Sequence, residues 1–230
     1  MFWNVIDSTR KSVLRHILES PPIENFYLAG GTALALLLGH RESIDFDWFT
    51  PDPFASEQIE TNLSRIGDLM VTEAKKNTFH GLLDGVQVTW LRYPRPLLEP
   101  LIVTSEMDHL RIASLEDIGT MKLIAASQRG ARKDFIDLYM IEQSGVSLTS
   151  LIKRLPEKFP NTSINYILFI FKNNFWIRFL VGQFSFLWET NARLKFVHLS
   201  GRKLDLRDAT RRNKIRSTRR HSFDFRYLVG

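Results

Sequence analysis

The feature that most constrains the fold is a pair of glycines placed between a strand and a helix near the N-terminus. Residues 25–29 (NFYLA) are an apolar run typical of a buried strand, and the chain then turns at Gly30-Gly31. Residues 32–38 (TALALLL) favour a helix that ends at Gly39. A strand, a tight turn and a helix in immediate sequence predict the beginning of a mixed α/β domain.

The next predicted strand carries two carboxylates on one face. Residues 43–50 (SIDFDWFT) alternate between apolar and polar side chains, and Asp45 and Asp47 fall on the same side. The opposite side, which we expect to be buried, consists of Ile44, Phe46 and Trp48. Because Mg²⁺ prefers carboxylate oxygens, two neighbouring Asp side chains suit one or two Mg²⁺ ions, with Mn²⁺ as the alternative. Asp45 and Asp47 are therefore candidate metal ligands.

The glycine turn has chemistry that complements a metal site. Gly30 and Gly31 let phosphate oxygens approach the backbone closely, and Thr32 places a hydroxyl at a helix N-terminus, where unpaired N–H groups favour anions. Nucleotidyl transfer needs a divalent metal and donors for a triphosphate. Taken separately, an Asp-x-Asp strand is usually a solvent-exposed face and a Gly-Gly pair is usually only a turn. Their order along this chain predicts a nucleotide site.

Gly30-Gly31-Thr32, followed after twelve residues by Asp45-Phe-Asp47, resembles the signature of the polymerase-β-like nucleotidyltransferases. The resemblance implies an α/β (α+β) fold, with a mixed sheet, flanking helices and a helical half after it. It also implies a metal-dependent enzyme that uses an NTP, binds it at the glycine turn and holds the metal on the Asp pair.

Two longer stretches are similar to the AbiEii/AbiGii toxin family of type IV toxin–antitoxin and abortive-infection systems. Residues 28–50 (LAGGTALALLLGHRESIDFDWFT) resemble the opening of that family. Residues 114–141 (SLEDIGTMKLIAASQRGARKDFIDLYMI) resemble its Lys-bearing helix and its Lys-Asp-x-x-Asp helix. The similarity spans about residues 20–165. It implies a growth-inhibiting cytoplasmic toxin, a cognate antitoxin as partner, and RNA, such as tRNA, as the acceptor.

A lysine interrupts the apolar stripe of the first of these helices. A capping box at Ser114 predicts a helix that runs to Arg129 and ends at Gly130. Lys122 falls within the stripe formed by Leu115, Ile118, Ala125 and Ala126. Its side chain either extends along the apolar surface to solvent or is directed at an anion. The family resemblance implies a catalytic-site lysine that engages nucleotide phosphates, and Arg129, on the same line of the helix, is a second candidate for nucleotide binding.

The following helix, at residues 132–143, is apolar on nearly every side and carries two carboxylates that need partners. We expect Asp134 to pair with Arg132 or another surface cation. The resemblance implies an active-site role for Asp137, either as the base that accepts the proton of the acceptor hydroxyl or as a metal ligand. Thr89 occupies the strand position where related enzymes have a third metal carboxylate, and the six histidines are dispersed.

The chain divides by composition into a catalytic half at 1–112, a helical half at 113–170 and an atypical tail at 171–230. Residues 191–230 contain 12 of the 31 Lys and Arg and 3 of the 25 Asp and Glu, so the net positive charge belongs to the tail. The tail is interpreted as a basic RNA-binding extension or, as we favour, as disordered sequence produced by a lost reading frame. The apolar stretch at 164–188 contains polar and charged residues, and we expect no membrane span.

Two other functions compete with the nucleotidyltransferase hypothesis. The first alternative is a catalytically impaired remnant that still binds a nucleotide or a partner. The second is a basic nucleic-acid-binding protein. The complete set of Asp45, Asp47, Lys122 and Asp137 favours the enzyme. The absence of cysteine excludes disulfides, Cys-based zinc sites and thiol nucleophiles.

Overall fold

The computed structural model describes residues 1–21 and 24–173, together with the strands at 184–189 and 193–198. Contacts divide the chain into two compact units, Met1–Arg178 and Phe179–Gly230. The second unit contains an antiparallel pair of strands, β8 (Phe184–Glu189) and β9 (Arg193–His198). The other expectations for the tail fall outside the described residues.

The first unit consists of a seven-stranded mixed sheet and seven helices among the described residues. The helices are α1 (Ser8–Glu19), α2 (Gly30–Leu38), α3 (Ser56–Leu63), α4 (Leu115–Arg129), α5 (Arg132–Gln143), α6 (Leu148–Lys158) and α7 (Ile164–Asn173). The strands are β1 (Tyr27–Ala29), β2 (Asp45–Thr50), β3 (Leu69–Lys75), β4 (Thr78–Leu83), β5 (Val86–Arg92), β6 (Ile102–Val103) and β7 (Arg111–Ile112).

The sheet order is β3-β4-β5-β2-β1-β7-β6, so β2 is the central strand. β2 runs antiparallel to β1 and parallel to β5. On one of its faces Trp48 is buried and stacks on Trp90 of β5, with ring centroids 6.1 Å apart. Asp45 and Asp47 lie on the other face, because successive side chains of a strand alternate. The central strand of the sheet therefore carries the carboxylate pair.

The helix boundaries agree closely with the sequence predictions. α2 ends at Gly39, which has the left-handed φ of 66°. α4 begins where the Ser114 hydroxyl accepts a hydrogen bond from the backbone N–H of Asp117, and it ends at Gly130, which is also left-handed. The alternating runs Thr78–Leu83 and Val86–Arg92, joined by Asp84-Gly85, predict a hairpin, which is confirmed as β4–β5. Its turn residues Asp84 and Gly85 both have positive φ, as a tight two-residue connection requires.

Three sequence predictions were wrong in detail. Ile44 is 64% exposed and precedes β2, while Phe49 and Thr50 are buried, so β2 is covered on both faces at its C-terminal end. Residues 56–68 are also expected from the sequence to be helical, but α3 ends at Leu63. The two-residue strands β6 and β7 were not predicted, because runs this short have no detectable periodicity.

No helix of the described residues is long and apolar enough to cross a bilayer.

A fully buried ion pair ties α6 to α4. The Asp117 carboxylate accepts hydrogen bonds from the backbone N–H groups of Leu98 (3.0 Å) and Glu99 (3.2 Å) and from the Ser114 hydroxyl (2.8 Å). The Lys158 ammonium group also bonds to it, and both side chains are 0% exposed. A buried carboxylate with this many donors holds the 94–100 loop against the two helices.

We expect Lys158→Met to lower the free energy of unfolding by about 3–5 kcal/mol, because it leaves the Asp117 charge buried without its counter-ion. Urea unfolding followed by tryptophan fluorescence measures this change. Lys153→Met, at an exposed position of the same helix, is the matched control and should change stability by less than about 0.5 kcal/mol. Equal stabilities of the two variants would contradict this role of the ion pair.

Candidate functional site

The site is built around the turn between β1 and α2. Gly30 has a φ of 74°, which favours glycine. A Cβ atom at residue 30 would lie 2.6 Å from Oδ2 of Asp47, and a Cβ atom at Gly31 would lie 2.5 Å from Nη2 of Arg41. Both positions therefore leave no room for a side chain, and the N-terminus of α2 lies between a carboxylate and a guanidinium group.

Thr32 connects the first turn of α2 to the start of β2. Its buried hydroxyl lies 2.7 Å from the Ser43 hydroxyl and donates to the backbone carbonyl of Asp45. The same hydroxyl is 3.4 Å from a carboxylate oxygen of Asp45. In this structure Thr32 positions Asp45, and its contact with a phosphate stays a prediction.

Asp45 and Asp47, the first and third residues of β2, are both half-buried. Burial and the neighbouring charge of Asp45 raise the pKa of Asp47 to about 7, although the charges of Lys122, Lys133 and Arg129 act in the opposite direction. Burial and the repulsion between the two carboxylates therefore outweigh the attraction of the surrounding cations. This is the electrostatic condition under which a divalent cation binds.

The residues around this pair fit a metal held by two protein carboxylates. Within the part of the chain that the structure describes, no group of three or more Asp, Glu or His side chains is arranged to hold a metal ion. Thr89 of β5 lies directly beside Asp47 in the sheet register, and its hydroxyl is 3.1 Å from Nδ1 of His80. A neutral side chain thus occupies the strand position considered for a third carboxylate.

Helices α4 and α5 face each other across a buried set of charges. The Lys122 ammonium group is 2.7 Å from Oδ2 of Asp137 and 3.2 Å from Oδ1 of Asp134, and its side chain is 8% exposed. Arg129 binds Asp134 with two N–H groups, at 2.5 and 2.6 Å. Lys122 is therefore directed at carboxylates rather than extended to solvent. The partners of Asp134 thus include Arg129, which the sequence analysis placed on the same line of α4 as Lys122.

Asp137 is the most heavily bonded carboxylate of the site. Besides its ion pair with Lys122, it accepts hydrogen bonds from Nε2 of His40 at 2.8 Å and from Nε and Nη2 of Arg41 at 2.9 and 3.2 Å. Burial alone would raise the pKa of Asp137, but the hydrogen bonds from His40 and Arg41 and the charges of Lys122 and Arg41 hold it well below its ordinary value. A carboxylate with so low a pKa is a weak base, and both of its oxygens are already engaged.

The structure brings all the residues singled out from the sequence to one end of β2. Contacts run without a break from Gly30 and Asp47 to Asp45 and Thr32, and from Gly31 through Arg41 to α5. They continue through Asp137, Lys122, Asp134 and Arg129.

From the sequence, His40 and Arg41 were expected to have a loop role, with a contact to a phosphate as the alternative, and their partner Asp137 was missed. Both instead bind Asp137. Their position in the sequence between the glycine turn and the Asp pair could have indicated that they belong to the site.

Comparison with known proteins agrees with this arrangement. Residues 12–174 match the family model described as nucleotidyl transferase AbiEii toxin of type IV toxin–antitoxin systems. The chain is 35% identical over 162 residues to the uncharacterized protein aq_aa25 of Aquifex aeolicus (strain VF5), which covers 69% of this chain and 78% of that protein.

Among solved structures, the antibiotic-resistance factor ANT(2'')-Ia superposes with a TM-score of 0.51 at 16% identity, over 65% of this chain and 91% of that one. At this identity the likeness shows the fold alone. The family match covers most of the chain and includes the glycine turn, the Asp pair and both charged helices. The chain is thus a nucleotidyltransferase that belongs to the AbiEii toxin family.

Proposed function

We propose that this nucleotidyltransferase moves a nucleotide from an NTP to a hydroxyl group of RNA, tRNA in particular, in a reaction that depends on Mg²⁺ or Mn²⁺. The observation that carries the proposal is the pair Asp45 and Asp47, whose negative charge is incompletely neutralised and which lies against the glycine turn at the start of α2. A divalent cation and a phosphate chain would each find complementary groups there.

The proposed reaction is a substitution at the α-phosphorus of the NTP. The acceptor oxygen forms a bond to that phosphorus, the bond from it to the bridging oxygen of the β-phosphate breaks, and pyrophosphate leaves. The acceptor hydroxyl loses its proton to water. A bound divalent cation would neutralise phosphate charge and make the acceptor oxygen a better nucleophile.

Each residue of the site receives a role under this proposal. Asp45 and Asp47 hold the metal, and the first turn of α2 offers backbone N–H groups to phosphate oxygens. Lys122 and Arg129 supply positive potential from α4. We assign Asp137 to the positioning of cations rather than to proton transfer, because its pKa is low and its oxygens accept bonds from Lys122, Arg41 and His40.

The proposed biological role is that of a cytoplasmic toxin that inhibits growth by modifying RNA and is countered by a cognate antitoxin. The family match is the support for this role. NTPs, Mg²⁺ and RNA are present together in the cytoplasm, as the reaction requires.

Asp45→Asn and Asp47→Asn should each lower transfer at least about 100-fold while the fold is retained, because each removes one metal-binding charge with little change in volume. Purified protein is incubated with each labelled NTP, Mg²⁺ and total RNA, and the label is followed by gel electrophoresis. Asp52→Asn, at an exposed position just after β2, is the matched control and should transfer at the wild-type rate.

Several outcomes of this assay would contradict parts of the proposal. Undiminished transfer by either active-site variant would remove the metal assignment. Label on protein or on a small molecule would replace RNA as the acceptor, and bound NTP without transfer would identify an impaired remnant. Expression in a bacterial host should arrest growth for the wild type and the Asp52 variant only.

Asp47→Asn should also stabilise the metal-free protein, by on the order of 1–2 kcal/mol, because it removes the repulsion from Asp45 and the cost of burying a charge in a partly exposed site. Thermal unfolding in EDTA measures this gain. Added Mg²⁺ should raise the melting temperature of the wild type and leave that of the variant unchanged. A variant less stable than the wild type in EDTA would contradict this, because it would show that protein groups already neutralise the charge of Asp47.

Asp137→Asn distinguishes positioning from proton transfer. If Asp137 positions cations, the KM for NTP should rise about tenfold and kcat should fall less than tenfold, because binding groups are displaced while the chemistry is kept. A catalytic base should instead lose about 10²- to 10⁴-fold in kcat. Steady-state kinetics beside the melting temperature separates the two roles. A loss confined to kcat would restore the base.

A further inference from the structure

Arg41 occupies an unusual position for a cation. It follows α2 in the chain, yet its side chain folds back over the first turn of the same helix, where Nη2 comes within 2.5 Å of the place a Gly31 Cβ would take. Helix N-termini carry partial positive charge, so a guanidinium group gains nothing from this location by itself. Its location is explained by the carboxylate of Asp137, which binds it with both oxygens.

The hydrogen bonds of Arg41 leave part of the guanidinium group available. Two of its five N–H groups bind Asp137, and Nη1 donates to the backbone carbonyl of Glu42 at 3.2 Å. One N–H on each terminal nitrogen therefore remains for a further acceptor. The side chain is 26% exposed, so a ligand can reach it without rearrangement of the core.

The other cations of the cluster are less suited to a direct contact with a ligand. Lys122 is 8% exposed, and its ammonium group lies between the two carboxylates of α5. Arg129 binds Asp134 through two nitrogen atoms and is 28% exposed. It is the last residue of α4, however, whereas Nη2 of Arg41 lies beside Gly31 in the first turn of α2. Arg41 combines exposure, free N–H groups and a position beside the α2 N-terminus.

The charge distribution around Arg41 indicates what it would bind. Asp45, Asp134 and Asp137 all attract its positive charge, so the guanidinium group is held between the metal-binding strand and α5. Asp137 is shared by the ammonium group of Lys122, the guanidinium group of Arg41 and the imidazole of His40. Nη2 of Arg41 lies beside Gly31 in the first turn of α2, where backbone N–H groups also favour an anion.

We propose that Arg41 binds the pyrophosphate portion of the incoming NTP, at the N-terminus of α2, and that Asp137 holds Arg41 there before the nucleotide arrives. This inference rests on the proposed function, which assigns the metal to Asp45 and Asp47 and the phosphate oxygens to the first turn of α2. The β- and γ-phosphates then extend along the glycine turn to Arg41. The planar fork of arginine matches two phosphate oxygens, and it selects triphosphates over monophosphates.

The test compares the affinities of the full chain and its variants for inorganic tripolyphosphate, for the four NTPs and for the four NMPs, by isothermal titration calorimetry with Mg²⁺. Arg41→Ala should bind tripolyphosphate and NTPs about 10- to 100-fold more weakly, as expected for lost charged hydrogen bonds. Its affinity for NMPs should change less than twofold. Arg41→Gln, which keeps an amide that can bond to Asp137, should show the same selectivity.

Arg154→Ala is the matched control, because Arg154 is 25% exposed and also binds a carboxylate, that of Glu99 at 2.6 Å, away from β2. It should leave all the affinities unchanged. Wild-type affinity for tripolyphosphate in folded Arg41→Gln would overturn the inference, and so would equal losses for NTPs and NMPs, which indicate a structural role only.

Failure of the wider proposal would look different. If the wild type binds tripolyphosphate through Arg41 but transfers no nucleotide, the proposed function fails and the phosphate site stands. If the wild type transfers nucleotides and Arg41→Gln binds NTPs normally, the function stands and the role of Arg41 is wrong. A wild type that binds neither tripolyphosphate nor any NTP overturns both.

Discussion

The Asp47 carboxylate lies where a side chain on residue 30 would be, and the rest of the site follows from that contact. Because residue 30 has no Cβ atom, the central strand β2 and the first turn of α2 approach closely enough to share one surface. Thr32 then reaches the backbone of Asp45 from the same turn. The carboxylate pair and the helix N-terminus are therefore one unit, fixed by a backbone that only glycine adopts readily.

This close approach creates a repulsion between two carboxylates that the helical part of the chain relieves only in part. Two half-buried carboxylates repel each other, and burial together with this repulsion raises the pKa of Asp47. Cations from α4 and α5 reduce the repulsion without binding the pair directly, since Lys122 and Arg129 are bonded to Asp134 and Asp137. A bound metal ion can supply the charge that is still needed, and the site is not neutralised in advance by protein groups.

Much of this arrangement could be predicted from the sequence because local rules determine it. Glycines ended α2 and α4, a capping box began α4, and the Asp-Gly turn defined the β4–β5 hairpin. The candidate residues were found because their spacing along the chain follows from the elements that carry them. The family resemblance supplied the roles of Lys122 and Asp137, which periodicity alone left open.

What the sequence did not reveal depends on contacts between residues far apart in the chain. His40 and Arg41 looked like loop residues because their partner, Asp137, lies almost a hundred positions later. Ile44 fitted the alternation of β2 but precedes the strand and is exposed. The short strands β6 and β7 exist only because β1 offers a free edge for pairing. Local patterns carry no information about such pairings.

The two most heavily bonded carboxylates of the helical part differ in the exposure of the side chains that bind them. Asp117 and Asp137 are both 0% exposed, and each accepts bonds from several donors. The donors to Asp117 are backbone groups, a cap hydroxyl and a lysine that is itself fully buried, so no ligand can exchange with any of them.

The donors to Asp137 include Arg41, which is partly exposed and lies beside the acidic face of β2. A ligand can therefore bind to the partners of Asp137 while the carboxylate stays in place. The same chemical group thus stabilises the fold at one end of α4 and, in the proposed function, organises a binding surface near the other. The exposure of the partner, rather than that of the carboxylate, decides which role it has.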